Sequence, residues 1–240
     1  MNILQAKGVV IAERDKGETS KQIVILAKGL GRIPVSARGA KNTKSKLLAP
    51  TQLFSYSDFT LYEGRGFYSI NQAELITGFY GLRTDMDRLA QAMYLAELTE
   101  RACPPDMEQD EILLLFLCAL TVLEKGKLAP SLISRIFELK LLELSGLFAP
   151  PACAVCGAEG EPLFFNGREG AFYCRGHRKE GCISVLPAVR SAVSFVLSHE
   201  PKKVFGFTLS PDALSQFDAI MRQFIAVHMG LSLKTRDFFA

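Results

Sequence analysis

The chain has 240 residues, 48% of them hydrophobic and 22% charged, with a mean hydropathy of +0.16. That is too apolar for a disordered tail and long enough to bury one large core or two modest ones. The net charge of +3 hides an uneven distribution: residues 1–80 carry 11 basic and 6 acidic side chains, residues 81–150 carry 7 and 11, and residues 151–240 carry 10 and 8. Six cysteines are too few for a disulfide-dense secreted domain, and four of them lie within residues 153–182. The first ten residues lack the basic start and apolar run of a signal peptide. The longest apolar stretch, residues 112–123, is 12 residues long, where a membrane-spanning helix needs about 20. These features predict a soluble protein of a reducing, cytoplasmic compartment with no membrane partner.

Residues 3–13, 20–27, 32–38, 52–62 and 67–74 are rich in Val, Ile, Phe, Tyr and Thr and read as strands. Lys16-Gly17-Glu18, Gly29-Leu30-Gly31 and Glu63-Gly64-Arg65-Gly66 separate them, with a tight hairpin expected at Gly64 to Gly66. Five short antiparallel strands suit a small closed barrel. The OB-fold is the first candidate, and periodicity alone does not separate it from an SH3-like barrel. From Thr84 the period becomes helical, with Met86, Leu89, Met93, Leu95, Ala96 and Leu98 recurring before Pro104-Pro105. Residues 109–124 and 130–145 continue as helices, and the three read as one platform. Residues 187–198 and 211–229 are helical as well, the last with Leu214, Phe217, Ile220, Met221, Phe224, Ile225 and His228 along a stripe that reads as core. The expected architecture is α+β and multidomain. An OB-fold β-barrel over residues 1–80 is followed by an all-α domain over residues 81–240, which carries a zinc-ribbon-like insertion at residues 151–184.

Cys153-Ala154-Val155-Cys156-Gly157 has the spacing at which backbone amides turn tightly around a metal. Cys174 follows 17 residues after Gly157, and His177 and Cys182 come next. Zn2+ needs four of these five, so the candidate ligands are Cys153, Cys156 and Cys174 with either Cys182 or His177. The segments at 162–165 and 171–173 supply the hairpin of a ribbon. A closed four-ligand site leaves no position for water and implies a structural metal rather than a catalytic one. Cys103 and Cys118 read as core, and His199 and His228 as structural imidazoles. No Walker loop, His-Glu-x2-His or Gly-x-Ser-x-Gly occurs, so no catalytic residues are assigned and the chain does not read as an enzyme.

The most informative feature is a run of 39 residues, 19–57, without an acid, in which Lys21, Lys28, Arg32, Arg38, Lys41, Lys44 and Lys46 supply seven cations. Arg38-Gly39-Ala40-Lys41-Asn42-Thr43-Lys44-Ser45-Lys46 reads as a flexible loop that can follow phosphates, with Lys21, Lys28 and Arg32 approaching the same side. Tyr56, Phe59, Tyr62, Phe67 and Tyr68 are near enough in sequence to stack on bases. Neutralising about five phosphates would give a log–log salt slope near −3.5 on single strands. Two other readings remain: an adaptor whose basic barrel binds acidic peptides, and a zinc-ribbon enzyme acting on nucleic acid.

A barrel, a helical block and a Cys-x2-Cys ribbon in this order resemble the RecO family of bacterial recombination mediators. The resemblance rests on four features. They are the strand from Ala6 to Val10 with its Gly17-Glu18 turn; Gly31-Arg32-Ile33-Pro34-Val35-Ser36-Ala37-Arg38-Gly39-Ala40 with Lys44-Ser45-Lys46; Cys153-x2-Cys156; and the ending Gly230-Leu231-Ser232-Leu233-Lys234-Thr235-Arg236-Asp237-Phe238. It implies an OB-fold that binds single- and double-stranded DNA and a helical domain with a zinc finger. The implied activities are strand annealing and, with RecR, loading of recombinase on DNA coated by single-stranded DNA-binding protein, whose acidic C-terminal tail is contacted. It also implies a bacterial, nucleoid-associated setting. The family's second cysteine pair is Cys-x2-Cys, and here His177 stands at the place of its last cysteine.

Overall fold

The computed structural model describes residues 2–64, 67–148, 151–159 and 162–229. The expected hairpin tip at Arg65-Gly66 and the ending from Gly230 lie outside the described residues. By packing, the described residues form two units, one up to residue 125 and the other from residue 126.

The first unit begins with β1 (Asn2–Lys16), β2 (Ser20–Ala27), β3 (Gly31–Ala37), β4 (Tyr56–Gly64) and β5 (Phe67–Thr77). They close into a barrel in the order β1-β2-β3-β5-β4, with β4 returning to β1. β3 and β5 run parallel, and the other neighbours are antiparallel. That five-stranded Greek-key closure is the OB-fold, and strand order settles what periodicity left open. Ala6, Val10, Ile23, Ile25, Ile33, Val35, Phe59 and Leu61 point inward and form its core. β2 is apolar on both faces because both are covered: Val24 and Leu26, facing out, are also buried, and helix α2 (Asp110–Lys125) packs on this strand.

A 3-10 helix (Tyr80–Thr84), absent from the sequence reading, leads into α1 (Met86–Ala102), whose N-cap Asp85 accepts from the backbone N–H groups of Asp87 and Arg88. α1 and α2 both pack on β1, so by packing they group with the barrel in the first unit, while α3 lies in the second. Gly31 needs its glycine: φ is +68°, and a Cβ would run into the Met107 carbonyl.

Residues 52–55 are not strand. Phe54 sits at φ 70°, its backbone N–H donates to the Val10 carbonyl at 2.9 Å, and its ring is buried, so β4 starts only at Tyr56.

The second unit holds α3 (Pro130–Leu144), then β6 (Leu163–Asn166), β7 (Ala171–Cys174) and β8 (Ile183–Ser184) in a sheet of order β7-β6-β8, then α4 (Pro187–Ser198) and α5 (Pro211–Met229). Phe217, Ile220, Met221, Phe224 and Ile225 of α5 are buried, and α3 packs on both α4 and α5. No helix among the described residues is long and apolar enough to cross a membrane.

Candidate nucleic-acid interface and metal centre

The connection from β3 to β4, residues 38–55, is a succession of hydrogen-bonded turns. Successive turn bonds run from Asn42 to Gly39, Ser45 to Asn42, Leu48 to Ser45, Thr51 to Leu47 and Ser55 to Gln52, each from an N–H to a carbonyl at 2.9–3.2 Å. Its start is tied to the β1–β2 turn, where the Lys41 N–H donates to the Thr19 carbonyl and the Gly39 N–H to Ser20 Oγ. The buried side chains of Ala40, Thr51, Phe54 and Ser55 anchor it. Charged side chains on this frame are held outward.

The seven candidate cations divide into two groups. Arg38, Lys44 and Lys46 are exposed on the connection, and among the described residues they form no ion pair. Lys28 is exposed too, but at the opposite end of the β2–β3 hairpin. Leu26 pairs with Arg32 there, while Lys21 pairs with Ala37 beside the connection, so Lys28 and Arg32 lie about 20 Å away from that end at strand rise. Lys21 is buried and its Nζ lies 2.8 Å from Glu13 Oε2. Lys41 Nζ is 2.6 Å from Asp15 Oδ1 and also donates to the Gly17 carbonyl. Arg32 donates from Nε to the Cys103 carbonyl at 2.7 Å, clamping the chain after α1 onto β3. The acid-free run in sequence is therefore faced in space by Glu13 and Asp15 of β1.

Of the five aromatics singled out from sequence, Phe59 is fully buried, whereas Phe67 is half exposed and Tyr56, Tyr62 and Tyr68 are partly exposed. The Tyr56 hydroxyl titrates above its ordinary range because of burial and the neighbouring Asp58 carboxylate. It is protonated at neutral pH and available as a donor.

In the second unit the two cysteine knuckles meet. Gly157, at φ +70°, lets its N–H return to the Cys153 carbonyl, and the Cys153 N–H donates to the Ala158 carbonyl. A bridge from Cys153 to Phe172 sets this knuckle against β7, whose last residue is Cys174. The His177 N–H then turns back to the Cys174 carbonyl. As a result the ligand atoms of Cys153, Cys156, Cys174 and His177 all lie within 4.8 Å of one another. Cys182 is not in this group; its N–H bonds the Lys179 carbonyl as the chain leaves toward β8.

The spacings suit a tetrahedral zinc. Bonds of about 2.3 Å to sulfur and about 2.0 Å to nitrogen give edges of about 3.8 Å between sulfurs and about 3.5 Å from sulfur to nitrogen. Cys156 Sγ and Cys174 Sγ are 3.9 Å apart, and His177 Nδ1 is 3.3 Å from Cys174 Sγ and 3.5 Å from Cys153 Sγ. Burial works against ionisation of Cys153, yet backbone N–H groups of Cys174, Cys156 and Val155 outweigh it and bring the thiol down to about 5. The two remaining imidazoles are structural: His199 stacks on Phe195, and His228 packs at a tilt on Phe224 with Nε2 hydrogen-bonded to the Gly170 carbonyl.

Comparison with known families decides the relationship. A model described as Recombination protein O N terminal matches residues 1–79, and one described as Recombination protein O C terminal matches residues 83–237. The chain belongs to the RecO family. RecO-family relatives cover nearly all of it. A protein of Alkaliphilus metalliredigens described as DNA repair protein RecO is 33% identical over 233 residues, 95% of this chain and 94% of that protein. One of Acetivibrio thermocellus with the same description is 29% identical over 243 residues, 99% and 96% of the two chains. A third, from Exiguobacterium sibiricum, is 30% identical over 236 residues. The N-terminal RecO match ends where the barrel ends, while the packed unit continues through α2.

Proposed function

We propose that this RecO-family protein is a DNA-repair and recombination mediator that works by binding and not by chemical catalysis. It binds single- and double-stranded DNA through the barrel's coiled connection and anneals complementary strands. With RecR it assists recombinase loading on DNA coated by single-stranded DNA-binding protein. The observation that carries this reading is the outward triad Arg38, Lys44 and Lys46, unpaired among the described residues and fixed on a hydrogen-bonded frame. Phosphates neutralised there repel a second strand less, so bases of the two strands approach and pair.

Three cations, rather than seven, set the electrostatics. Three phosphate contacts correspond to a log–log salt slope of about −2 on single strands. The metal centre fits zinc held by Cys153, Cys156, Cys174 and His177. When bound, that metal supplies a cross-link between the two knuckles and so stabilises residues 151–184.

The same triad also favours a second reading, in which the barrel docks an acidic peptide such as the tail of the coating protein. Fluorescence anisotropy of a labelled single strand over a salt series, followed by an annealing assay on the same preparation, separates the two. Binding with a slope near −2 and accelerated annealing is the expected result. Absence of binding at low salt, with retained affinity for an acidic peptide, would replace the mediator reading by the adaptor one.

A further inference from the structure

The barrel's outer wall carries a cleft of about 780 Å3 lined by Gln5, Ser45, Lys46, Thr60, Asn71 and Gln72, with Asp58 and Glu74 at one end. Its floor follows from strand register. Gln5 of β1 pairs with Thr60 of β4, which pairs with Gln72 of β5; the next outward row is Lys7, Asp58 and Glu74. Between Thr60 and Leu61 the β4–β5 register slips, because Thr60 faces Gln72 while Leu61 faces Ile70. Asn71 is the extra residue. A bulge of this kind turns two consecutive side chains toward one side of a sheet, and here it brings two neighbouring amides into the cleft.

These groups are idle in the fold. The side chains of Gln5, Thr60, Asn71 and Gln72 have no hydrogen-bond partner among the described residues, although all of them line one concavity. Asp58 and Glu74 disfavour a phosphate at their end of the cleft, while Lys46 on the side wall favours one at the lip. What fits is a neutral, planar group with several donors and acceptors. Ser45 and Lys46 form the side wall and belong to the coiled connection that also carries Arg38 and Lys44, so a strand whose phosphates follow those cations runs along the lip. Tyr62, two residues from Thr60 on the same face of β4, offers a ring at the far end.

We propose that this cleft is a nucleobase site, taking unpaired bases of a single strand whose backbone lies on Arg38, Lys44 and Lys46. The inference rests on the DNA-binding reading above and adds to it a contact that duplex DNA does not make, since paired bases keep their Watson–Crick edges inside the helix and show their outer edges only at the floor of a groove. The amides of Asn71 and Gln72 bond base edges, and the carboxylates of Asp58 and Glu74 accept from exocyclic amino groups such as cytosine N4. Thymine has no such group.

The test is anisotropy with oligo-dC, oligo-dT and a duplex of equal length, on the full chain and on variants. Wild-type protein binds oligo-dC about fivefold or more tighter than oligo-dT. Asn71→Ala with Gln72→Ala weakens oligo-dC binding by about five- to tenfold while leaving duplex affinity and the salt slope unchanged. Gln5→Ala, on a different strand, shifts binding in the same direction; a loss confined to the bulge variant would trace to the shape of β5 and overturn the proposal. So would equal affinity for the two oligonucleotides, or equal losses on single strand and duplex. If wild-type protein binds DNA and the variants match it, the base site fails and the phosphate triad stands. If wild-type protein binds no DNA, both fail.

Discussion

Gln216 of α5 donates from Nε2 to the Ser184 carbonyl at 3.0 Å while its Oε1 accepts from the Leu186 N–H at 2.7 Å. The first group lies on the outer edge of β8 and the second two residues on, at the N-cap of α4; together they are the pair that a further antiparallel strand would bond. One amide thus stands in for a strand and ends the sheet. Gln216→Ala leaves both groups to water and costs about 1–2 kcal/mol, read as a lowered denaturant midpoint, with faster hydrogen exchange at the Leu186 amide.

The ligand set makes a sharp contrast between two neighbouring residues. His177 lies with Cys153, Cys156 and Cys174, whereas Cys182 lies outside that group. Zinc content measured by atomic spectroscopy falls well below one per chain for His177→Ala and stays at the wild-type level for Cys182→Ala. The reverse pattern would reassign the fourth ligand.

Cys103 predicts a loss of stability in alkali. Burial pushes its thiol from 9.0 up to about 12, with the Arg32 guanidinium pulling weakly the other way. The folded state therefore keeps a proton that the unfolded chain releases above pH 9, so stability is full below that and declines as pH rises toward 12. The decline approaches about 1.4 kcal/mol per pH unit. Denaturation midpoints from pH 8 to 10 show a steeper loss for the natural protein than for Cys103→Val; parallel curves would remove the thiol as the cause.

The cations differ in kind as well as in position. On the proposed DNA-binding reading, Lys44→Ala flattens the single-strand salt slope by about 0.7, with an unchanged unfolding midpoint. Lys21→Ala leaves the slope alone and lowers stability by about 1–2 kcal/mol, since it deletes a buried stem and strands Glu13. A slope that responds to Lys21 and ignores Lys44 would invert the division between free and paired cations.

Much of the fold was legible because local signals agreed. The β2 strand at 20–27 and the helices at 187–198 and 211–229 coincide with their observed bounds, each set by glycine or proline punctuation around a clear apolar period. The error at residues 52–55 has a definite source: Phe54 supplies the aromatic that alternation expects, but it reaches the core through a left-handed turn. Pairing was harder to read. Seven cations in an acid-free run appeared equivalent until β1, more than twenty residues away from Lys41, brought Asp15 to it and Glu13 to Lys21. The fourth ligand stayed open because spacing counts residues along the chain, while the choice depends on the turn that the His177 N–H makes onto Cys174. The bulge at Asn71 leaves no composition signal, since it exists only in the register between β4 and β5.

The coiling of residues 38–55 has a kinetic side. A floppy basic loop must be ordered by each encounter, which slows capture and charges every complex with lost entropy. Turn bonds from Asn42 to Ser55 have already done that ordering. A polyanion arriving at Arg38, Lys44 and Lys46 meets a finished surface, so association runs at a rate governed by long-range steering, and with so few charges in contact release is quick at physiological salt. Rapid capture with brief residence is what the proposed annealing role requires of such a surface.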